Sequence, residues 1–297
     1  MRTASAQNLV FTLAVTLIAR IFFVRDMLRG CFRNMHEVEG AQVMRHKVQG
    51  EMHTLDCAFA APVHPPRAAL LICHGIGEVV DNWRATQQLL AQHGVASLVF
   101  DYSGYGKSGG IVNWKSCEND AVSAFAFLQT LVPGVSISLL GFSMGSGIAG
   151  AVFSRVSPAR LILCSAFTSF REAACVLGLP RSFASALPPI WSAREALSGC
   201  AVPVVVVHCA RDRAFPVSMA RELASICGDD TEIIIVPEQV HNEAFYDPKL
   251  SYWHHVLESI VPDHSRHSEA MPGPPFEIVE THPIPAISTT TERAPTR

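Results

Sequence analysis

Apolar positions along this chain fall into two alternating textures. Short, continuous, β-branched blocks read as strands buried on both faces, and longer segments with apolar residues every three or four positions read as helices. On that reading Ala68–Cys73, Val95–Asp101, Val135–Leu140, Leu161–Ser165, Val202–His208 and Glu232–Val236 are strands. Asn82–His93, Trp114–Leu131, the small-residue segment after Ser143, Val217–Ile226 and Glu243–Ile260 are helices. Residues 41–60 add two more strands, with a turn near Gly50. Strands that alternate with helices imply a mostly parallel sheet, here eight-stranded, with helices on both faces.

Three stretches depart from this rhythm. Residues 1–34 form an apolar N-terminal segment, in which Leu9–Ala19 is interrupted by Arg20 before Ile21–Val24 resumes it. Its uninterrupted length falls short of the ~20 residues that span a bilayer comfortably. It fits a membrane anchor or interfacial helix, an arm packed on its own or a partner domain, or a secretory signal. Arg20, Arg25, Arg29 and Arg33 follow it, which by the positive-inside rule leaves the next domain in the cytoplasm if the segment inserts. The signal reading would make the protein secreted or periplasmic. Residues 167–199, inside the main domain 35–262, carry Pro180, Pro188, Pro189, Trp191 and several apolar residues. They read as a short cap over the sheet's carboxyl edge, or as an ordinary crossover helix with ragged ends. Residues 263–297, rich in Pro and Thr, read as a disordered tail.

Composition narrows the class. Of 297 residues, 49% are hydrophobic and 16% charged, which suits a large core, and the net charge of −3 gives no reason to expect a nucleic-acid partner. Nine cysteines, an odd number without metal-type spacing, favour a reducing compartment.

The chemistry concentrates on strand ends. Gly141-Phe142-Ser143-Met144-Gly145 follows an apolar run and opens a helix, the pattern of a sharp turn that exposes a serine hydroxyl. A serine needs a base and an orienting acid to become a nucleophile. Asp212, in Cys209-Ala210-Arg211-Asp212, follows a late strand and suits the acid; the alternative is a turn aspartate. His241 follows the last strand and suits the base; the alternative is a polar loop histidine. His208, His254 and His255 are its rivals among 13 histidines, with His208 placed beside the site and the other two on the final helix. Ile76, in the Cys73-His74-Gly75-Ile76-Gly77-Glu78 loop, and Met144 are the backbone donors for an oxyanion, with Gly77 the alternative to Ile76. His74 reads as a brace for that loop. Asp101, in Asp101-Tyr102-Ser103-Gly104-Tyr105-Gly106-Lys107-Ser108, reads as a turn-former, since the loop lacks the spacing of a phosphate cradle. Trp83 and the aromatics of 167–199 read as core.

Together the His-Gly loop, the Asp-Tyr-x-Gly-Tyr-Gly-x-Ser turn, Gly-Phe-Ser-Met-Gly, the late Asp212 and the final His241 resemble the α/β-hydrolase superfamily over residues 40–260. Within it the chain is similar to small-cap serine hydrolases, including monoacylglycerol-lipase-like esterases and membrane-associated depalmitoylase-like proteins. The resemblance implies the α/β-hydrolase fold, with Ser143 as nucleophile, His241 as base, Asp212 as orienting acid and no metal or organic cofactor. The expected reaction is hydrolysis of a carboxylic ester or thioester, on a small-molecule or lipid substrate, through an acyl-enzyme, with membrane association through residues 9–24 if that segment is an anchor; an N-terminal apolar segment also occurs in some members of that branch. A serine aminopeptidase or amidase on the same residues, and a non-catalytic scaffold on the same fold, are the alternatives. The long Pro/Thr tail departs from the family's pattern.

Overall fold

A computed structural model describes residues 9, 11–13, 43–198, 200–227, 231–237, 239–241, 248 and 250–261. Eight strands, β1 (Val43–Gln49), β2 (Thr54–Ala60), β3 (Ala68–Cys73), β4 (Val95–Phe100), β5 (Ile137–Phe142), β6 (Leu161–Cys164), β7 (Val204–Cys209) and β8 (Glu232–Val236), form one sheet. Its order is β1-β2-β4-β3-β5-β6-β7-β8. β2 runs antiparallel to both neighbours, and all other pairs are parallel. The helices are α1 (Arg84–Gln92), α2 (Trp114–Leu131), α3 (Met144–Val156), α4 (Phe170–Val176), α5 (Arg181–Ala184), α6 (Ala193–Leu197), α7 (Val217–Cys227) and α8 (Leu250–Ile260). This is the α/β-hydrolase fold.

The strand pleat divides the core. Ala69, Leu71 and Cys73 of β3, with Ile137 and Leu139 of β5, face the cluster built from α2, α3 and α7. Ala68, Leu70 and Ile72, with Leu140 and Phe142, face Trp83, Leu90, Tyr252 and Trp253. Side chains on alternate strand positions thus bury both sheet faces, which is why these runs are apolar throughout instead of alternating. Trp83 is fully buried against Phe142 and Trp253, a core residue.

Element boundaries differ from the sequence reading where a residue's local preference misleads. β5 begins at Ile137 and continues through Gly141 and Phe142, because both pair with β6. A glycine there does not end the strand; it admits the helix that follows. The helix expected over Asn82–His93 is a 3₁₀ turn, Val80–Trp83, followed by α1. Of the helix expected over Glu243–Ile260, Leu250–Ile260 is helical as α8, and residues 243–247 and 249 lie outside the described residues.

Between β6 and β7 the chain forms three short helices, α4 to α6, with Ser169 and Ser192 capping α4 and α6. Trp191 adopts φ +48° and donates its indole N–H to Glu118 Oε1 at 3.0 Å. Of the N-terminal segment, Leu9 and Phe11–Leu13 are described. Phe11 is fully buried against the rings of Phe170 and Trp191, at 5.5 and 5.3 Å, and Thr12 donates to the Val112 carbonyl at 2.8 Å. The remainder of residues 1–34 and the tail 263–297 lie outside the described residues. Among those described, no helix is long and apolar enough to cross a membrane.

Candidate active site

Parallel strands deliver their following loops to one edge of a sheet, and a site there is assembled from successive loops. Ser143 follows β5, Asp212 follows β7 and His241 follows β8, while Ile76 lies after β3, which pairs with β5 directly. Residues far apart in sequence therefore meet.

The turn at Ser143 explains the flanking glycines. Ser143 has φ +52° and ψ −117°, a conformation few side-chain-bearing residues adopt. It holds because α3 starts at once and packs on β3 and β5. A Cβ on Gly145 would collide with the Cys73 carbonyl oxygen, and one on Gly141 with the Gly145 carbonyl and, at 2.6 Å, Ser146 Cα. The Ser143 N–H donates to the Cys164 carbonyl at 3.0 Å, and its own carbonyl accepts from Ser146.

Ser143 Oγ lies 3.0 Å from His241 Nε2, and His241 Nδ1 lies 2.6 Å from Asp212 Oδ2. A carboxylate only accepts, so Nδ1 carries the proton and Nε2 presents its lone pair to the serine hydroxyl. The Asp212 side chain is fully buried and that of His241 is 10% exposed. Burial pushes the Asp212 carboxyl up. The His241 hydrogen bond and charge, the Phe215 N–H and nearby His208 outweigh it, and hold Asp212 below the usual aspartate range. The other oxygen, Oδ1, accepts from the N–H groups of Ala214 and Phe215 at 2.8 and 2.9 Å. The His241 ring is packed by Phe142 and Phe215, with centroids at 5.2 and 5.4 Å.

The loop after β3 is braced from beneath. His74 Nδ1 donates to the Gly75 carbonyl at 2.8 Å, the Gly75 N–H donates to Glu78 Oε2 at 2.8 Å, and Tyr102 donates to the His74 carbonyl at 3.0 Å. Trp83 Nε1 reaches the same Glu78 oxygen at 3.1 Å. The Tyr105 hydroxyl donates to Met144 Sδ at 3.7 Å. Ile76 is half-buried in this loop, and Met144 is the first residue of α3, whose N–H has no intrahelical partner.

Asp101 and the rival histidines His208 and His254 have other partners. Asp101 Oδ1 accepts from Val80 N–H at 2.8 Å and Oδ2 from Lys107 N–H at 3.1 Å, so it ties two loops together. His254 pairs with Glu258 at 3.1 Å on the exposed side of α8. His208 is buried beside Asp212 and directs Nε2 to the Phe215 carbonyl at 3.1 Å. Glu78 and Phe215 carry contacts that sequence reasoning gave to neither. Glu78 stands in the quoted loop, and a lone acid among apolar residues and glycines was the available signal. Phe215 had none. Among the described residues, no three His, Cys, Asp or Glu side chains cluster as a metal site.

The chain is similar to known proteins in sequence and in fold. The family model described as serine aminopeptidase, S33, matches residues 64–196. An uncharacterized protein of Mycobacterium tuberculosis is 29% identical over 200 residues, 65% of this chain and 68% of that protein. Human monoglyceride lipase is 30% identical over 114 residues, 36% of this chain and 37% of the lipase. The esterase Pf2001 of Pyrococcus furiosus superposes with a TM-score of 0.58 at 17% identity, covering 74% of this chain and 91% of that one.

Proposed function

We propose, for a chain that is an α/β hydrolase of the monoglyceride-lipase-like branch, that it cleaves carboxylic esters or thioesters through an acyl-enzyme on Ser143. One observation carries this reading: the continuous contact from Ser143 Oγ through His241 to Asp212, at 3.0 and 2.6 Å. His241 takes the serine proton as Oγ attacks the acyl carbonyl, and Asp212 stabilises the imidazolium that forms. The developing oxyanion accepts from the Met144 and Ile76 N–H groups; loss of one such donor costs ~3–4 kcal/mol of transition-state stabilisation. His241 returns its proton to the leaving alcohol or thiol. It then activates a water that releases the acid and restores Ser143.

The family model's description favours a second reading, a serine aminopeptidase. A substrate with a free amino terminus needs a carboxylate to receive it. Of the acids in the 167–199 insertion, Glu172 is engaged by Thr168, Ser169 and Arg194, and Glu195 is exposed. That arrangement supports the ester reading. The reading extends to place: the exposed Leu9 and Leu13, either side of buried Phe11, suit contact with a lipid surface.

Turnover of p-nitrophenyl esters from acetate to palmitate, by wild type and Ser143→Ala, tests the activity. Serine-dependent turnover sustains the ester reading. Serine-dependent cleavage of aminoacyl anilides without ester turnover would replace it with the second.

A further inference from the structure

His208 is the penultimate residue of β7, is fully buried, and is unused by the chemistry above. A valine or leucine would fill that position at the end of a run of valines. A buried imidazole there must answer a polar need. Phe215 is that need, because three of its groups act at once. Its N–H donates to Asp212 Oδ1 at 2.9 Å, its ring packs on His241 with centroids 5.4 Å apart, and its carbonyl, itself buried, meets His208 Nε2 at 3.1 Å. The carbonyl only accepts, so Nε2 carries the proton. Nδ1 is then a bare lone pair, and it meets no partner among the described residues. His208 Nε2 also lies 3.7 Å from Asp212 Oδ2, outside hydrogen-bond distance, with its N–H dipole on the carboxylate's side.

We infer that His208 is a positioning residue: its Nε2–H pins the far end of the Asp212–Phe215 turn to β7, and through Phe215 fixes both the orienting carboxylate and the ring of His241. The inference rests on the reading of Ser143, Asp212 and His241 as the reacting set. Without the pin Phe215 is free to shift, which weakens one of the two N–H groups holding Asp212 Oδ1 and the packing of its ring on His241. Substrate contacts are untouched, so the loss falls on kcat.

The experiment compares wild type, Ser143→Ala, His208→Gln and His208→Met on p-nitrophenyl butyrate. Active sites are titrated with a fluorophosphonate, so that any unfolded fraction drops out. Glutamine places an N–H donor close to the position of Nε2, whereas methionine fills the space without one. His208→Met should lose about tenfold in kcat with KM nearly unchanged, and His208→Gln should recover most of it. In an Asp212→Asn background, adding His208→Met should cost less than it does in the wild type, because only the packing of the His241 ring remains to be lost. Equal rates for His208→Met and wild type, equal losses for Met and Gln, or an undiminished loss in the Asp212→Asn background would each overturn the inference. Turnover by Ser143→Ala equal to wild type would instead overturn the underlying activity.

Discussion

Gly145 rests directly on the carbonyl of Cys73, so closely that a Cβ at that position would occupy the oxygen's space. The contact joins α3 to β3 and holds the helix that follows Ser143 against the strand that precedes the candidate oxyanion loop. Neither side can yield, since Cys73 pairs with Gly141 across the sheet and Ser143 already sits at φ +52°.

Gly145→Ala should therefore cost about 3 kcal/mol through overpacking, and should reduce activity in whatever folded fraction remains. Chemical denaturation paired with fluorophosphonate titration checks both. A variant with wild-type stability would show that α3 can shift away from β3.

Glu78 gives a different kind of prediction. Its Oε2 receives both the Gly75 N–H and the Trp83 indole N–H, at 2.8 and 3.1 Å, in a site 4% exposed. Glu78→Ala orphans two buried donors and loosens the loop bearing Ile76. Its kcat should fall about tenfold with KM little changed, and Glu78→Gln, which keeps an acceptor, should fall less. Steady-state kinetics on one ester resolves the two parameters; unchanged kcat in the alanine variant would show that Glu78 does not support the candidate oxyanion loop.

Stability should depend on pH through the buried histidines. Burial holds His74 and His208 below the ordinary histidine value of about 6.5. The unfolded chain therefore takes up protons that the folded chain refuses as pH falls, so their stabilisation is present above about pH 6.5 and lost on acidification below it. Glu118 and Asp120 act with the opposite sign, because burial raises their carboxyls and their cost to folding grows as pH rises from about 4. The comparison isolates one histidine: between pH 7.5 and 5.5, His208→Gln should show a shallower fall in Tm than wild type. Parallel Tm curves would show that His208 does not contribute.

The N-terminal segment divides into two roles that separate experimentally. Phe11 is fully buried between Phe170 and Trp191, whereas Leu9 and Leu13 are each 61% exposed. Phe11→Ala should destabilise by about 3 kcal/mol. Leu9→Ser with Leu13→Ser should leave Tm unchanged and weaken co-sedimentation with phosphatidylcholine vesicles. If vesicle binding is the same for both proteins, those leucines are not a lipid contact.

What the sequence disclosed, and what it hid, follows from range. The turn at Ser143 is written in five adjacent residues, and the strands before Asp212 and His241 in local apolar runs, so these positions and the sheet were legible. The end of β5 was misplaced because Gly141 looks like a breaker and is a strand residue chosen for the approach of Gly145. The three helices of residues 167–199 are too short for a helical period to register. Phe11 against Trp191, Glu118 below Trp191 and His208 under Phe215 depend on how distant segments pack. No pattern within a window of a few residues announces them.

The central claim is a covalent acyl-enzyme on Ser143. Acid quenching of wild type in the first turnovers of p-nitrophenyl butyrate, followed by peptide mass spectrometry, tests it directly. A butyryl group should appear on the peptide containing Ser143 and be absent in Ser143→Ala. Steady turnover by wild type with no acyl group on Ser143, or with the group on another residue, would contradict it.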